Sequence, residues 1–143
     1  MSYVRVWIHA VWGTKYRETL LNKTVRPVIS DHIIQHARKK GFFIDTIDGY
    51  TDHLHCLFAL NPRIALSTHL QFMKGESSYW INKHGILDSF GWADEYFAGS
   101  VSEQNLNKIR NYIKNQEKHH KKLTFQEEYE LLLREHNMEK VQG

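Results

Sequence analysis

Two short segments of this 143-residue chain carry side chains whose spacing could do chemistry. The first is Asp52-His53-Leu54-His55-Cys56-Leu57-Phe58. Side chains on a strand alternate between faces, so Leu54, Cys56, Phe58 and Leu60 would share an apolar face and His53 and His55 the opposite one. Two imidazoles on one face can meet a single metal ion, and neutral imidazole suits Mn, Zn, Fe, Ni and Cu. With ten histidines in the chain, such a pair by itself is more often a surface feature than a ligand pair, and it leaves a metal short of ligands. The second segment is Tyr112-Ile113-Lys114-Asn115-Gln116. Residues four apart stack on one face of a helix, so Tyr112 and Gln116 would look at the same space. The Gln116 carbonyl is a hard oxygen donor that suits Mg²⁺ or Mn²⁺ beside imidazoles. The Tyr112 phenol can attack a phosphodiester and later leave again, keeping the bond energy in a covalent intermediate. Its ordinary pKa of about 10 means that a metal, a base or local charge must activate it. Taken singly, each of these two residues is more often packing or a solvated polar tip.

Charge adds a weaker signal. The net charge of +3 permits a phosphate-bearing partner without requiring one. Lys15, Arg17 and Lys74 are candidate phosphate contacts, because positive side chains dominate affinity for a polyanion. His119 and His120 either touch phosphate, serve the site, or simply suit the C-terminal end of a helix dipole.

These residues need elements to position them. Residues 3–13 alternate as a strand with one wholly apolar face (Val4, Val6, Ile8, Ala10, Trp12) and one mixed face that includes His9. His9 is expected to be structural or to support a metal ligand. A helix follows over 24–40, with Pro27 in its first turn and Gly41 as its stop. Residues 42–50 and 53–60 read as two strands joined by a tight turn. The pattern then gives a helix over 67–84, a strand over 92–101 and a helix from Ser102 to Lys118. A last helix over 125–136 opens with a Thr124/Glu127 capping box. The order β-α-β-β-α-β followed by helices predicts a single α+β domain over 1–143. It is a ferredoxin-like split β-α-β sandwich, with an antiparallel sheet, helices on one face and C-terminal helices beyond. The other sheet face would be free for a ligand or partner. Trp7, Trp80 and Trp92 are expected to pack in the core.

Bulk properties exclude other classes. No segment is apolar for long enough to span a bilayer, and the N-terminus has no cleavage-site pattern of a signal peptide. A single cysteine, Cys56, cannot form an internal disulfide, which fits a cytoplasmic protein.

Together the motifs resemble the HUH endonuclease superfamily. More narrowly, the chain is similar to the single-tyrosine transposases of small bacterial insertion sequences and their REP-associated relatives. The likeness rests on Val11-Trp12-Gly13-Thr14-Lys15-Tyr16-Arg17, Asp52-His53-Leu54-His55, Phe72-Met73-Lys74-Gly75-Glu76-Ser77-Ser78, Tyr96 to Ser102, and Tyr112 through His120. One departure is Ala93-Asp94-Glu95-Tyr96, where the family usually carries a glycine before the aromatic. The resemblance implies Tyr112 as nucleophile, His53, His55 and Gln116 as ligands of Mg²⁺ or Mn²⁺, and a homodimer whose tyrosine helix can serve the partner's site. It further implies recognition of imperfect hairpins, cleavage of nearby single-stranded DNA, and a 5′-phosphotyrosine intermediate with a free 3′-hydroxyl. The alternative is a domesticated relative that holds hairpin DNA without cutting it.

Overall fold

The computed structural model describes residues 1–136 and 138. Four strands, β1 (Trp7–Gly13), β2 (Phe43–Gly49), β3 (His53–Ala59) and β4 (Phe97–Val101), form one sheet in the order β2-β3-β1-β4. Every neighbouring pair is antiparallel. The helices are α1 (Val25–Lys40), α2 (Leu66–Lys83), α3 (Leu106–Lys114), α4 (Gln116–His119) and α5 (Phe125–Glu135). This is the mixed α+β, ferredoxin-like arrangement that the element order predicts.

The period-two pattern decides which residues meet. Ile8, Ala10 and Trp12 of β1 and Leu54, Cys56 and Phe58 of β3 lie in one apolar cluster with Ile29, Ile33, Leu70 and Met73 of α1 and α2. Truncating a side chain as enclosed as Phe58 to alanine would cost about 3–5 kcal/mol. Trp92 joins this cluster, Trp80 packs at its margin, and Trp7 is buried on the other side of the sheet. The thiol of Cys56 is fully buried, and burial pushes its pKa above the ordinary range, so it is packing material.

That other face departs from expectation. It is not open: α3 covers Trp7 and Leu57 through Leu106 and Ile113, and α5 covers Val11 and Phe97 through Phe125 and Leu132. The C-terminal helices were legible as helices, but periodicity within a helix does not say which sheet face it seals. Two strands are also shorter than their patterns. β1 begins at Trp7, because its pairing with both neighbours ends at Trp7↔Ala59 and Trp7↔Val101. β4 begins at Phe97, because only Trp92, bridged to Thr14, pairs before it. Among the described residues no helix is long and apolar enough to cross a membrane.

Candidate active site

His53 and His55 enter the site from β3, whose C-terminal apolar neighbours anchor the strand below. The hairpin from β2 fixes the start of that strand. A Cβ added at Gly49 would sit 2.1 Å from the His53 carbonyl oxygen, so only glycine allows the backbone to come this close. At the paired position on β1, Gly13 leaves room for the Phe125 ring, which a Cβ would meet at 2.6 Å. Phe125 uses that room to stack on His53, with ring centroids 4.0 Å apart and planes within 3°.

Both strand histidines are fully buried and both have their outer nitrogen engaged. His53 Nδ1 donates to Asp52 Oδ1 at 2.8 Å. His55 Nδ1 lies 2.9 Å from His9 Nε2, which is the supporting contact expected of His9. A carboxylate or ring behind the outer nitrogen fixes tautomer and orientation and aims Nε2 inward.

The tyrosine segment arrives from the opposite side. The helix expected over 102–118 opens instead with a 3-10 turn at Glu103–Asn105 and breaks at Asn115, whose backbone (φ −102°, ψ 24°) leaves the α region. The break separates α3, which carries Tyr112, from α4, which begins with Gln116. Arg26, only 7% exposed, clamps α4: it donates to Glu117 Oε1 at 3.0 Å and to Asp48 Oδ1 on β2 at 3.1 Å. Arg110 fastens α3 to the same strand through two 2.8 Å hydrogen bonds to Asp45. Gln116, fully buried, donates its amide to the Tyr112 carbonyl at 3.1 Å, so Oε1 faces inward, 3.1 Å from His53 Nε2 and 3.0 Å from His120 Nε2.

The geometry brings in a residue that sequence reasoning missed. Glu128 of α5 points its carboxylate into the centre. Its Oε1 lies 3.1 Å from His53 Nε2, 3.2 Å from His55 Nε2 and 3.0 Å from His120 Nε2. Its Oε2 accepts the hydroxyl hydrogen of Tyr112 and lies 3.5 Å from His119 Nε2. Among the described residues, His53, His120 and Glu128 form the group whose ligand atoms are mutually close enough to hold one metal ion. A signal for Glu128 was present: Phe125, Glu128 and Leu132, at helical spacing of three and four, are the buried stripe of α5. A lone carboxylate inside an apolar stripe needs a buried partner.

The electrostatics follow from enclosure. Burial holds His55 at about 4 and His9 at about 3, so both rings are neutral near pH 7. Burial also opposes a proton on His53, but its hydrogen bonds to Asp52 and Glu128 outweigh that and raise its pKa above the ordinary value. Glu128 is opposed by burial too, yet hydrogen bonds with His120, His53 and His55 pull it well below the usual carboxylate range. Burial, followed by the hydrogen bond to ionised Glu128, drives the Tyr112 phenol above its normal range.

Among the remaining candidates, Arg17 alone reaches the site, through Phe125. Lys15 and Lys74 line an open cleft of about 1010 Å³ with Tyr16, Trp92 and Tyr96. The turn that builds its rim puts Tyr16 (φ 58°) and Arg17 (φ 53°) in the left-handed region, a costly conformation for non-glycine residues. Arg17 lies over the Phe125 ring at 4.9 Å, and its buried Nη1 has no hydrogen-bond partner.

Residues 2–116 match the family model described as Transposase IS200 like. The chain is 27% identical over 114 residues to the ISDra2 transposase TnpA of Deinococcus radiodurans, covering 76% of this chain and 81% of that one. It is 25% identical over 119 residues to the transposase for insertion sequence element IS200 of Salmonella typhimurium, covering 76% and 74% respectively. Its fold is shared with a transposase candidate of known structure from Deinococcus radiodurans, at TM-score 0.64 and 24% identity over 81% of this chain and 95% of that one. The fold is also that of a REP-associated tyrosine transposase solved bound to a REP hairpin, at TM-score 0.59 and 17% identity over 84% and 72%.

Proposed function

The chain belongs to the IS200-like transposase family, and from that premise we propose that it cuts and rejoins single-stranded DNA near hairpin ends through Tyr112. The observation that carries this reading is the convergence of the Tyr112 hydroxyl and the Nε2 atoms of His53 and His55 on one carboxylate. A phenol and an imidazole pair this close can act on the same phosphate.

The residues present fit a divalent ion. The inward nitrogens of His53 and His55, once free of a proton, and the Gln116 carbonyl are the mixed nitrogen and oxygen donors that Mg²⁺ or Mn²⁺ accepts, Mn²⁺ the more readily. Such an ion supplies polarisation of a scissile phosphate oxygen. The chain's own groups account for the rest. Glu128 Oε2 takes the phenolic proton as the Tyr112 oxygen attacks phosphorus. The P–O3′ bond breaks, the 3′-oxygen leaves and gains a proton, and the 5′-phosphate stays on tyrosine. Rejoining reverses the order: a 3′-hydroxyl attacks the phosphotyrosine and the phenol leaves with its proton restored.

Lys15, Lys74 and Arg17 are the proposed phosphate contacts. The cleft beside the first two and the unpartnered donor of the third support this role. His119, one-third exposed beside Glu128, is a further candidate for the DNA strand. The expected partners are hairpin-bearing single-stranded DNA and a second copy of the chain.

The test is cleavage of a hairpin-bearing single strand with Mn²⁺. Wild-type protein is expected to release a strand with a free 3′-hydroxyl. Tyr112→Phe is expected to abolish release while DNA affinity stays within about threefold, since the phenol contributes to bond making and not to docking. Cleavage that survives in Tyr112→Phe would move the nucleophile elsewhere. Binding without cleavage by wild type, on any hairpin and either metal, would favour the DNA-holding relative.

A further inference from the structure

Glu128 and His120 lie beyond the residues matched by the family model, which end at Gln116. Glu128 is nevertheless the one acidic side chain among the buried polar residues described, at 1% exposure. Its surroundings are chemically one-sided. His120 Nδ1 donates to the Leu123 carbonyl at 2.7 Å, as His53 Nδ1 donates to Asp52 at 2.8 Å. Each inward Nε2 therefore meets Glu128 either with the proton of the hydrogen bonds described above or, where a metal ion displaces that proton, with a lone pair. The inward atom of Gln116 is a lone-pair oxygen, because its amide nitrogen is committed to Tyr112. Three imidazole nitrogens thus lie 3.0–3.2 Å from Glu128 Oε1, and the Gln116 oxygen lies beside two of them. Such a set repels itself unless positive charge sits within it.

The spacing indicates which kind of charge fits. Octahedral ligands at about 2.1 Å from a small divalent ion stand about 3.0 Å from their neighbours around the shell. Glu128 Oε1 to His120 Nε2 is 3.0 Å and to His53 Nε2 is 3.1 Å. Gln116 Oε1 to the same two nitrogens is 3.0 and 3.1 Å. All four atoms are aimed by separate elements: β3, α4, the turn after it, and α5.

We propose that Glu128 Oε1 and His120 Nε2 are further ligands of the divalent ion, with Glu128 Oε2 holding the Tyr112 hydroxyl against it, so that the C-terminal segment is part of the active site. The proposal rests on the reading above that an ion binds at His53. It makes Glu128 a link between metal and nucleophile. It also adds an anionic ligand and a third imidazole to the two histidines and amide. A set richer in nitrogen favours Mn²⁺ over Mg²⁺.

Titration of the full-length protein with MnCl₂, without DNA, tests this by calorimetry. Wild type, Glu128→Gln, His120→Ala and His53→Ala are compared, each with its circular dichroism. Glu128→Gln and His120→Ala are each expected to weaken Mn²⁺ about 10–100-fold, the size of effect seen when support for a metal site is removed. Pulsed electron paramagnetic resonance on Mn²⁺-loaded wild type is expected to count three coupled imidazole nitrogens, a readout that survives if a variant fails to fold. Mn²⁺ affinity lost in His53→Ala but unchanged in the other two folded variants, or only two coupled nitrogens, would overturn the proposal and leave the metal reading intact. A wild type that takes up no Mn²⁺ at millimolar concentration would end both.

Discussion

At the scale of single residues, the site is governed by what each charged or polar atom can find once water is gone. Asp52 behind His53 shows this. It is on the strand's own entry turn, and it holds the Nδ1 proton that leaves Nε2 free to face inward. Asp52→Asn keeps the size of the side chain but removes the charge. It is expected to weaken Mn²⁺ by about 10–100-fold without unfolding the chain; unchanged affinity in a calorimetric titration would mean that Asp52 does not tune His53. His53, His55 and Tyr112 were legible as candidates because each lies on a regular element; Gln116 was read through a four-residue helical interval that the break at Asn115 interrupts, yet its amide still bonds the Tyr112 carbonyl. Glu128 was not, and His120 was legible only as a histidine with several open roles, phosphate contact and service to the site among them. They come from a different helix and the turn before it, and their meeting with His53, 67 to 75 positions away, depends on how α5 docks and not on any local interval. Arg17, Lys15 and Lys74 were legible only as charge. Periodicity could not show that the first would cover Phe125 and the others would flank a cleft.

At the scale of elements, three joints hold the site together. The capping box of α5 is present as read, with Thr124 and Glu127 each bonding the other's backbone. Thr124→Ala is expected to cost about 1 kcal/mol in chemical denaturation; because α5 carries Glu128, it should also weaken Mn²⁺ binding slightly. Gly49→Ala is expected to be much more damaging, about 2–4 kcal/mol, since the added Cβ meets backbone that cannot turn aside. A neutral result there would contradict the close approach of β2 and β3. The third joint is pH-dependent. Hydrogen bonds from Arg110 hold the Asp45 carboxyl below its ordinary range. A depressed carboxylate contributes stability that is fully present above its unfolded value, about 4, and is lost as pH falls through the lower folded value. Asp45→Asn should therefore be less stable than wild type at pH 7, with the gap closing below about pH 4. A gap that stays constant with pH would remove the ion pair from the account.

At the scale of the whole molecule, the sheet divides the labour. One face carries the apolar cluster against α1 and α2, and the other carries the candidate site beneath α3, α4 and α5. The chain order of the elements made the sheet readable. Closure of the second face was not, because it arises from apolar stripes on two short helices, α3 and α5, whose docking partners on the sheet are distant in sequence. Every converging group belongs to one chain, which supports a tyrosine that works with the histidines of its own subunit. Mixing Tyr112→Phe protein with His53→Ala protein is then expected to restore no cleavage. Recovery of up to half the wild-type rate would show that the tyrosine serves a partner. DNA affinity should fall steeply as salt rises, with a slope of about 0.7 per phosphate contact on a single strand, and Lys74→Ala should reduce that slope by about one contact.

The most direct measurement is mass spectrometry of the species formed when wild-type protein, Mn²⁺ and a hairpin-bearing single strand are mixed and then digested. The result that fits is one peptide, containing Tyr112, heavier by the nucleotide joined through its 5′-phosphate. An adduct on any other residue, or cleaved DNA with no protein attached at any time point, would contradict the claim that this phenol and these imidazoles act on one phosphate.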